Sequence, residues 1–166
     1  LPVFIFDTDI ISELPVDDPR VSFIHGTLES INTELLKSGC SLYILKSTPD
    51  EAWKKLLTSF DINEVFINKD YEPYTIERDN RIKILLNQYN ITLRKYKDQV
   101  IFEENEILKG DGKPYTVYTP YKNRWLQKCL PESFSVKSLN KNRSNFFQFN
   151  VQYPSIEEIG FRKSQL

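Results

Sequence analysis

The segment Asn68-Lys69-Asp70-Tyr71-Glu72-Pro73-Tyr74 holds the side chains best suited to gripping a small ligand. Asp70 and Glu72 are carboxylates two residues apart, set between Tyr71 and Tyr74, and they can accept hydrogen bonds from the N–H or hydroxyl groups of a planar aromatic molecule. The same two acids are also what the positive end of a helix macrodipole favours, and spacing alone does not separate the readings. Arg20 is a second candidate. It stands in the first turn of a helix, opposite in sign to what the dipole prefers, so it calls for an anionic partner, and Asp70 or a ligand would serve. The lone His25 has no acid or nucleophile beside it in sequence and reads as a surface or partly buried side chain.

Other chemistries find no footing. The sequence has no GxGxxG, no GxxxxGK[ST] and no GxSxG, so it lacks the dinucleotide fingerprint, the phosphate loop and the nucleophile elbow. Cys40 and Cys129 lack close thiol or histidine partners, which leaves a zinc site short of ligands; free buried thiols in a reducing compartment are the simpler reading. With 22 basic and 23 acidic residues, the chain has no surplus of positive charge to hold duplex DNA by itself. No apolar run approaches the roughly 20 residues needed to span a bilayer, and no leader peptide is visible, so a cytoplasmic location is expected and no membrane partner.

These residues need elements to position them, and the pattern supplies a repeating cycle. Val3–Phe6 is a short apolar run closed by Asp7. Asp18-Pro19 suits a helix start, and Val21, Ile24, Leu28, Ile31 and Leu35 follow at helical spacing until Gly39. Ser41–Leu45 reads as a second strand. Thr48-Pro49-Asp50-Glu51 is a capping box opening a helix whose inner face is Trp53, Leu56, Leu57 and Phe60. Val65–Ile67 is a third strand, and Thr75–Tyr89 a helix with Ile82, Leu85, Leu86 and Tyr89 inward. Ile91–Tyr96 is a fourth strand with a short extension at Gln99–Phe102, and Thr119-Pro120 caps a last helix carrying Tyr121, Trp125 and Cys129. Strand and helix in alternation predict an α/β fold, a Rossmann-like doubly wound parallel sheet with helices on both faces. In such sheets ligands bind beyond the carboxyl ends of strands, which is where the loop after Ile67 falls. From Pro131 onward the periodicity fades, and the stretch reads as an extended connector with Phe146, Phe147 and Phe149 docked on a surface.

Several stretches, in this order and spacing, resemble the photolyase/cryptochrome family: Val3–Asp7, Arg20–Ile24, Asn68–Tyr74 with Glu77-Arg78-Asp79, Lys97–Phe102, and Pro114–Tyr121 followed by Trp125. Pro154–Phe161 is similar to the stretch leading into that family's second domain. The resemblance implies a division at residues 1–130, the N-terminal α/β domain, and 131–166, a connector to a helical FAD-binding domain absent from this sequence. It implies the antenna-binding portion of a deoxyribodipyrimidine photo-lyase, a flavoprotein of DNA repair. A cryptochrome photoreceptor domain, or a Rossmann-like nucleotide-binding or interaction domain without catalysis, are the alternatives.

By the same resemblance, Phe4, Phe6, Asp7, Arg20, Asp70 and Glu72 match places lining the antenna pocket. A deazaflavin or flavin antenna is favoured over folate, because Lys113 stands where folate binders would have an acid. FAD and ultraviolet-damaged DNA belong to the other domain, so this portion alone is expected to be inactive, with no catalytic residue and little hold on DNA. The family's first strand and its Arg-rich loop are expected before Leu1, and Leu1 itself is not a usual start, so the sequence reads as a fragment. The missing strand is central in the family's sheet. Its loss would leave the Val3 and Val65 strands to pair directly, to leave backbone groups unpaired, or to form a strand-swapped oligomer.

Overall fold

The structure, a computed structural model, describes residues 1–134 and 140–165. It divides into two compact units, Leu1–Asp61 with Leu139–Leu166, and Ile62–Ser138.

In the first unit β1 (Val3–Asp7) pairs in parallel with β2 (Tyr43–Ser47), Val3 opposite Tyr43 and Asp7 opposite Ser47. Between them run the one-turn α1 (Thr8–Ile11) and the long α2 (Pro19–Leu36), and β2 is followed by α3 (Pro49–Ser59). Alternation along the strands sends Phe4, Phe6 and Ile44 to one face. There they join Val21, Leu28 and Leu35 of α2, together with Leu42. Tyr43 and Leu45 turn the other way, toward α3: the Tyr43 ring lies 6.0 Å from that of Phe60, and α3 packs on both strands. This pair of strands is therefore covered on both faces, as a parallel sheet requires.

The local signals for the helices operate as read. Asp18 accepts the Arg20 N–H at 2.8 Å, and Thr48 Oγ1 accepts the Glu51 N–H at 3.4 Å. After α2 the chain turns at Gly39 with φ +72°, and a Cβ there would collide with the Gln148 amide.

In the second unit β3 (Glu64–Asn68) pairs in parallel with β4 (Thr92–Tyr96), and α4 (Pro73–Gln88) makes the crossover. Val65, Ile82, Leu86 and Ile91 are buried beneath it. Asn90 closes the helix with φ 59°, a conformation asparagine adopts more readily than most residues. α5 (Tyr118–Lys128) comes last in this unit apart from the 3-10 turn Pro131–Phe134.

The α/β class with parallel strands flanked by helices is thus as expected. The strands lie in separate two-stranded sheets, β1–β2 and β3–β4, so the Val3 and Val65 strands do not pair with each other.

Several details differ from the sequence reading. Gln99–Phe102 forms bends and no strand. In α2, Ile24 and Ile31 are 38% and 45% exposed, because the core covers only the narrower Val21–Leu28–Leu35 line. Tyr89, the C-cap of α4, is exposed. α5 is capped by the backbone position of Val117, without a side-chain bond.

The end of the chain is more than a surface strand. Phe149 exchanges hydrogen bonds with Gly39 and Ser41, and Ile156, Ile159 and Phe161 are buried in the same core as Phe6 and Val21. Of the aromatic patch, Phe147 is 52% exposed and Phe149 packs on Tyr43 and Phe60. Cys40 is a free and fully buried thiol, its ionisation pushed up by burial, and Cys129 is also free.

Candidate functional site

In the first unit Phe4, Phe6 and Asp7 follow one another along β1 to its carboxyl end, and Arg20 stands in the first turn of α2. Phe4 and Phe6 meet edge-on, ring centres 5.0 Å apart. Phe6 is only 3% exposed, and its ring belongs to the core. The chain then bends at Asp7, itself buried, whose Oδ1 accepts the Asp9 N–H at 2.9 Å and caps α1.

Arg20 has found an anion, though not the one its position had pointed to. Its Nε and Nη2 donate to the two oxygens of Asp18 at 3.0 and 2.7 Å. This fork-on-fork pair is local, closed across one helix start. Hydrogen bonds to the guanidinium hold the Asp18 carboxyl below its usual range, and Asp18 in turn raises Arg20. Asp18 is buried, whereas the Arg20 side chain is 69% exposed, so the cation remains open to a further anionic group.

In the second unit Asp70 is engaged in the turn that leads into α4. It accepts the N–H groups of Tyr71 at 2.6 Å and Glu72 at 3.3 Å, and the Thr75 hydroxyl at 3.3 Å. The Glu72 N–H, then those of Tyr71, Thr75 and the Gln99 side chain, keep its carboxyl below the ordinary value. Glu72 occupies the N-cap position of α4, exposed and without a side-chain cap bond. Beside them lies a pair that sequence spacing did not announce. Lys69 Nζ donates to Glu103 at 2.9 Å, and that contact raises Lys69. Lys97 similarly donates to Glu106 at 2.7 Å. Both pairs span loop residues without periodicity, which is why no pattern gave them away.

His25 is structural: Nε2 lies 2.9 Å from the Pro154 carbonyl and its ring packs on Tyr153, which donates to the His25 carbonyl at 2.8 Å. Among the described residues nothing here sets a nucleophile against a base. What these groups offer is recognition, by carboxylate acceptors and an exposed guanidinium.

Against known proteins, the family described as DNA photolyase matches residues 1–139. The chain belongs to the DNA photolyase family. The photolyase-family chain is 28% identical over 129 residues to a deoxyribodipyrimidine photo-lyase of a Synechococcus strain, covering 78% of this chain and 27% of that one. It is 23% identical over 168 residues to cryptochrome-1 of Macaca fascicularis, covering 96% of this chain and 28% of the other. Among solved structures it resembles an archaeal photolyase from Sulfolobus tokodaii, described as containing two FAD molecules with the implication of a novel light-harvesting cofactor. That match has a TM-score of 0.56 and 25% identity over 62% of this chain and 24% of that one. The chain thus spans about a quarter of the length of these relatives.

In the first unit Asp7 and Arg20 present a buried acceptor and an exposed cation, and in the second Asp70 and Glu72 present carboxylates at the start of α4. The ring of Phe6 is buried in the core of its unit. No helix of the described residues is long and apolar enough to cross a membrane.

Proposed function

We propose that this chain holds a light-harvesting chromophore for a deoxyribodipyrimidine photo-lyase, the light-driven repair of pyrimidine dimers in ultraviolet-damaged DNA. The observation that carries the reading is the exposed Arg20 guanidinium, fixed by buried Asp18 at the start of α2 in a chain of the photolyase family. Arg20 holds an anionic arm of the antenna. Asp7 accepts from its polar edge, with Phe4 and Phe6 as the floor beneath, while Asp70 and Glu72 are acceptors at the start of α4 in the second unit, considered by themselves. When bound, the antenna supplies absorption in the near-ultraviolet or blue and passes the excitation to a flavin.

A deazaflavin or flavin suits an arginine and several acids better than folate does. The Sulfolobus tokodaii relative, with its two FAD molecules, points the same way. FAD and damaged DNA are handled by a domain beyond residues 131–166, the connector, in a cytoplasmic protein. With a net charge of −1 this portion has little hold on DNA and no lyase activity by itself. A strand-swapped oligomer of the portion would be seeded at β1, whose ladder runs to β2 alone among the named strands.

The test is Arg20→Ala in the full-length protein. Antenna occupancy, read from the absorption of the purified protein, should fall severalfold while the flavin of the second domain is retained; unchanged antenna occupancy removes Arg20 from the site. The likeness to a cryptochrome over 96% of the chain supports a photoreceptor as the second reading. Blue-light rescue of ultraviolet survival by the full-length gene separates the two, and failure to rescue selects the photoreceptor.

A further inference from the structure

Arg20 is already half engaged. Asp18 takes its Nε–H and one Nη2–H, which leaves the remaining guanidinium N–H groups for another acceptor. The Asp18 carboxylate is buried and held below its usual range, chiefly by those bonds, so it stays ionised and the pair as a whole is neutral. The positive start of α2 is engaged as well, because the same carboxylate accepts the Arg20 N–H at 2.8 Å.

The chain around this pair is acidic. From Asp7 to Arg20 there are five acids, and Arg20 is the one base. Asp7 ends β1, and Asp17, next to Asp18, is exposed with no ion-pair partner among the described residues. Lys46, Arg162 and Lys163 go with the tail. A Cβ at Gly160 would meet Lys46 Nζ, and the N–H groups of Arg162 and Ser164 donate to the Val16 carbonyl and to Ser22 Oγ. At about 100° per residue Ser22 lies about 200° around α2 from Arg20, so the tail follows the opposite flank. A phosphate monoester carries about −1.5 to −2 near pH 7. Held at Arg20, it would face a neutral ion pair and a free acid, without a second cation beside it among the described residues.

We propose that Asp18, acting through Arg20, is the residue that sets the charge of the antenna. The Arg20 site takes a chromophore whose arm carries hydroxyls or a single negative charge, and it discriminates against an arm ending in a phosphate. Given the antenna reading, on which this rests, flavin-type rings without a phosphate are selected. Hydroxyl oxygens accept from the free N–H groups of Arg20 and bring no second negative charge against Asp17 and Asp18.

Riboflavin and FMN test it, since they share one ring system and differ only in the terminal phosphate. Each is titrated at low salt into full-length protein freed of its antenna but loaded with FAD, and the fluorescence of the added flavin is followed. Riboflavin should bind at least about tenfold more tightly than FMN. The gap should narrow toward about 1 M salt, where the screening length is about 3 Å. Asp18→Asn keeps a capping oxygen for the Arg20 N–H and frees the guanidinium charge, so FMN should then bind at least as tightly as riboflavin. Asp17→Asn removes an exposed, unpaired acid and should narrow the gap severalfold less; it decides the matter where circular dichroism shows Asp18→Asn misfolded. FMN equal to or tighter than riboflavin in the parent, or a ratio that the folded variants leave unchanged, would overturn the proposal. If neither flavin binds, the proposal falls too. It falls alone where Arg20→Ala still depletes the native antenna, and together with the antenna reading where Arg20→Ala does not.

Discussion

The two units each hold one parallel pair of five-residue strands, and they stabilise it differently. In the first, helices lie on both faces of β1–β2, and the core is completed by Ile156, Ile159 and Phe161 from the far end of the chain. In the second, α4 covers one face of β3–β4. The other face carries Phe66 and Tyr96, 60% and 52% exposed and stacked 6.1 Å apart.

Charge replaces part of the missing burial in the second unit. The buried Asp79 carboxylate is shared by Arg78 at 2.8 Å and Lys95 at 3.0 Å, and ion pairs join Lys69 to Glu103, Lys97 to Glu106 and Arg94 to Glu64. A pair of parallel strands is marginal by itself. The comparison teaches that covered faces, more than strand pairing, set how such a pair is held, and that one unit relies on apolar packing where the other leans on ions.

The largest test strikes the apolar side. Ile159→Ala or Phe161→Ala should each cost about 2–5 kcal/mol, since both remove well-packed side chains. Amide hydrogen exchange should show protection lost in β1 and α2 while α4 is unaffected, and equal loss in both units would break the comparison. Next comes the ionic side. Asp79→Ala strands two cations and should cost about 1–3 kcal/mol in the second unit, less than for a fully enclosed pair because the Arg78 and Lys95 side chains are 28% and 27% exposed.

A smaller effect appears in alkali. Burial pushes the Tyr153 hydroxyl from 10.0 up to about 12, so the folded first unit holds that proton more tightly than the unfolded chain. Its contribution is therefore complete below about pH 10 and lost as pH rises toward about 12. Denaturant midpoints followed across that window should fall for the parent and stay flatter for Tyr153→Phe, which gives up one hydrogen bond worth about 1 kcal/mol.

The smallest effect belongs to acid. Asp70 is held below the ordinary carboxylate value, chiefly by the Glu72 N–H, so its contribution is present above that value and fades as pH falls through the lowered one. Asp70→Asn should blunt the acid transition of α4 exchange slightly, whereas Glu64→Gln, on an exposed pair, should leave it unchanged.

Residue types near one another in sequence determined much of this molecule by themselves. Asp18-Pro19 and Thr48-Pro49 start their helices because a capping oxygen needs only the next turn to act. The alternation of apolar runs with amphipathic stretches fixed the α/β class. Asp70 accepts the N–H groups of the two residues that follow it, and Arg20 took the anion two residues away, both local contacts.

Tertiary structure alone decided which apolar faces are covered. Ile24 and Ile31 fit the helical stripe yet stay exposed, while Ile156, Ile159 and Phe161, from a stretch without periodicity, are buried. The pairings Lys69–Glu103 and Tyr153–His25 likewise join positions with no common pattern. Periodicity records which side of an element is apolar; what lies against that side depends on chain closure over a hundred residues or so, and such contacts leave no local trace.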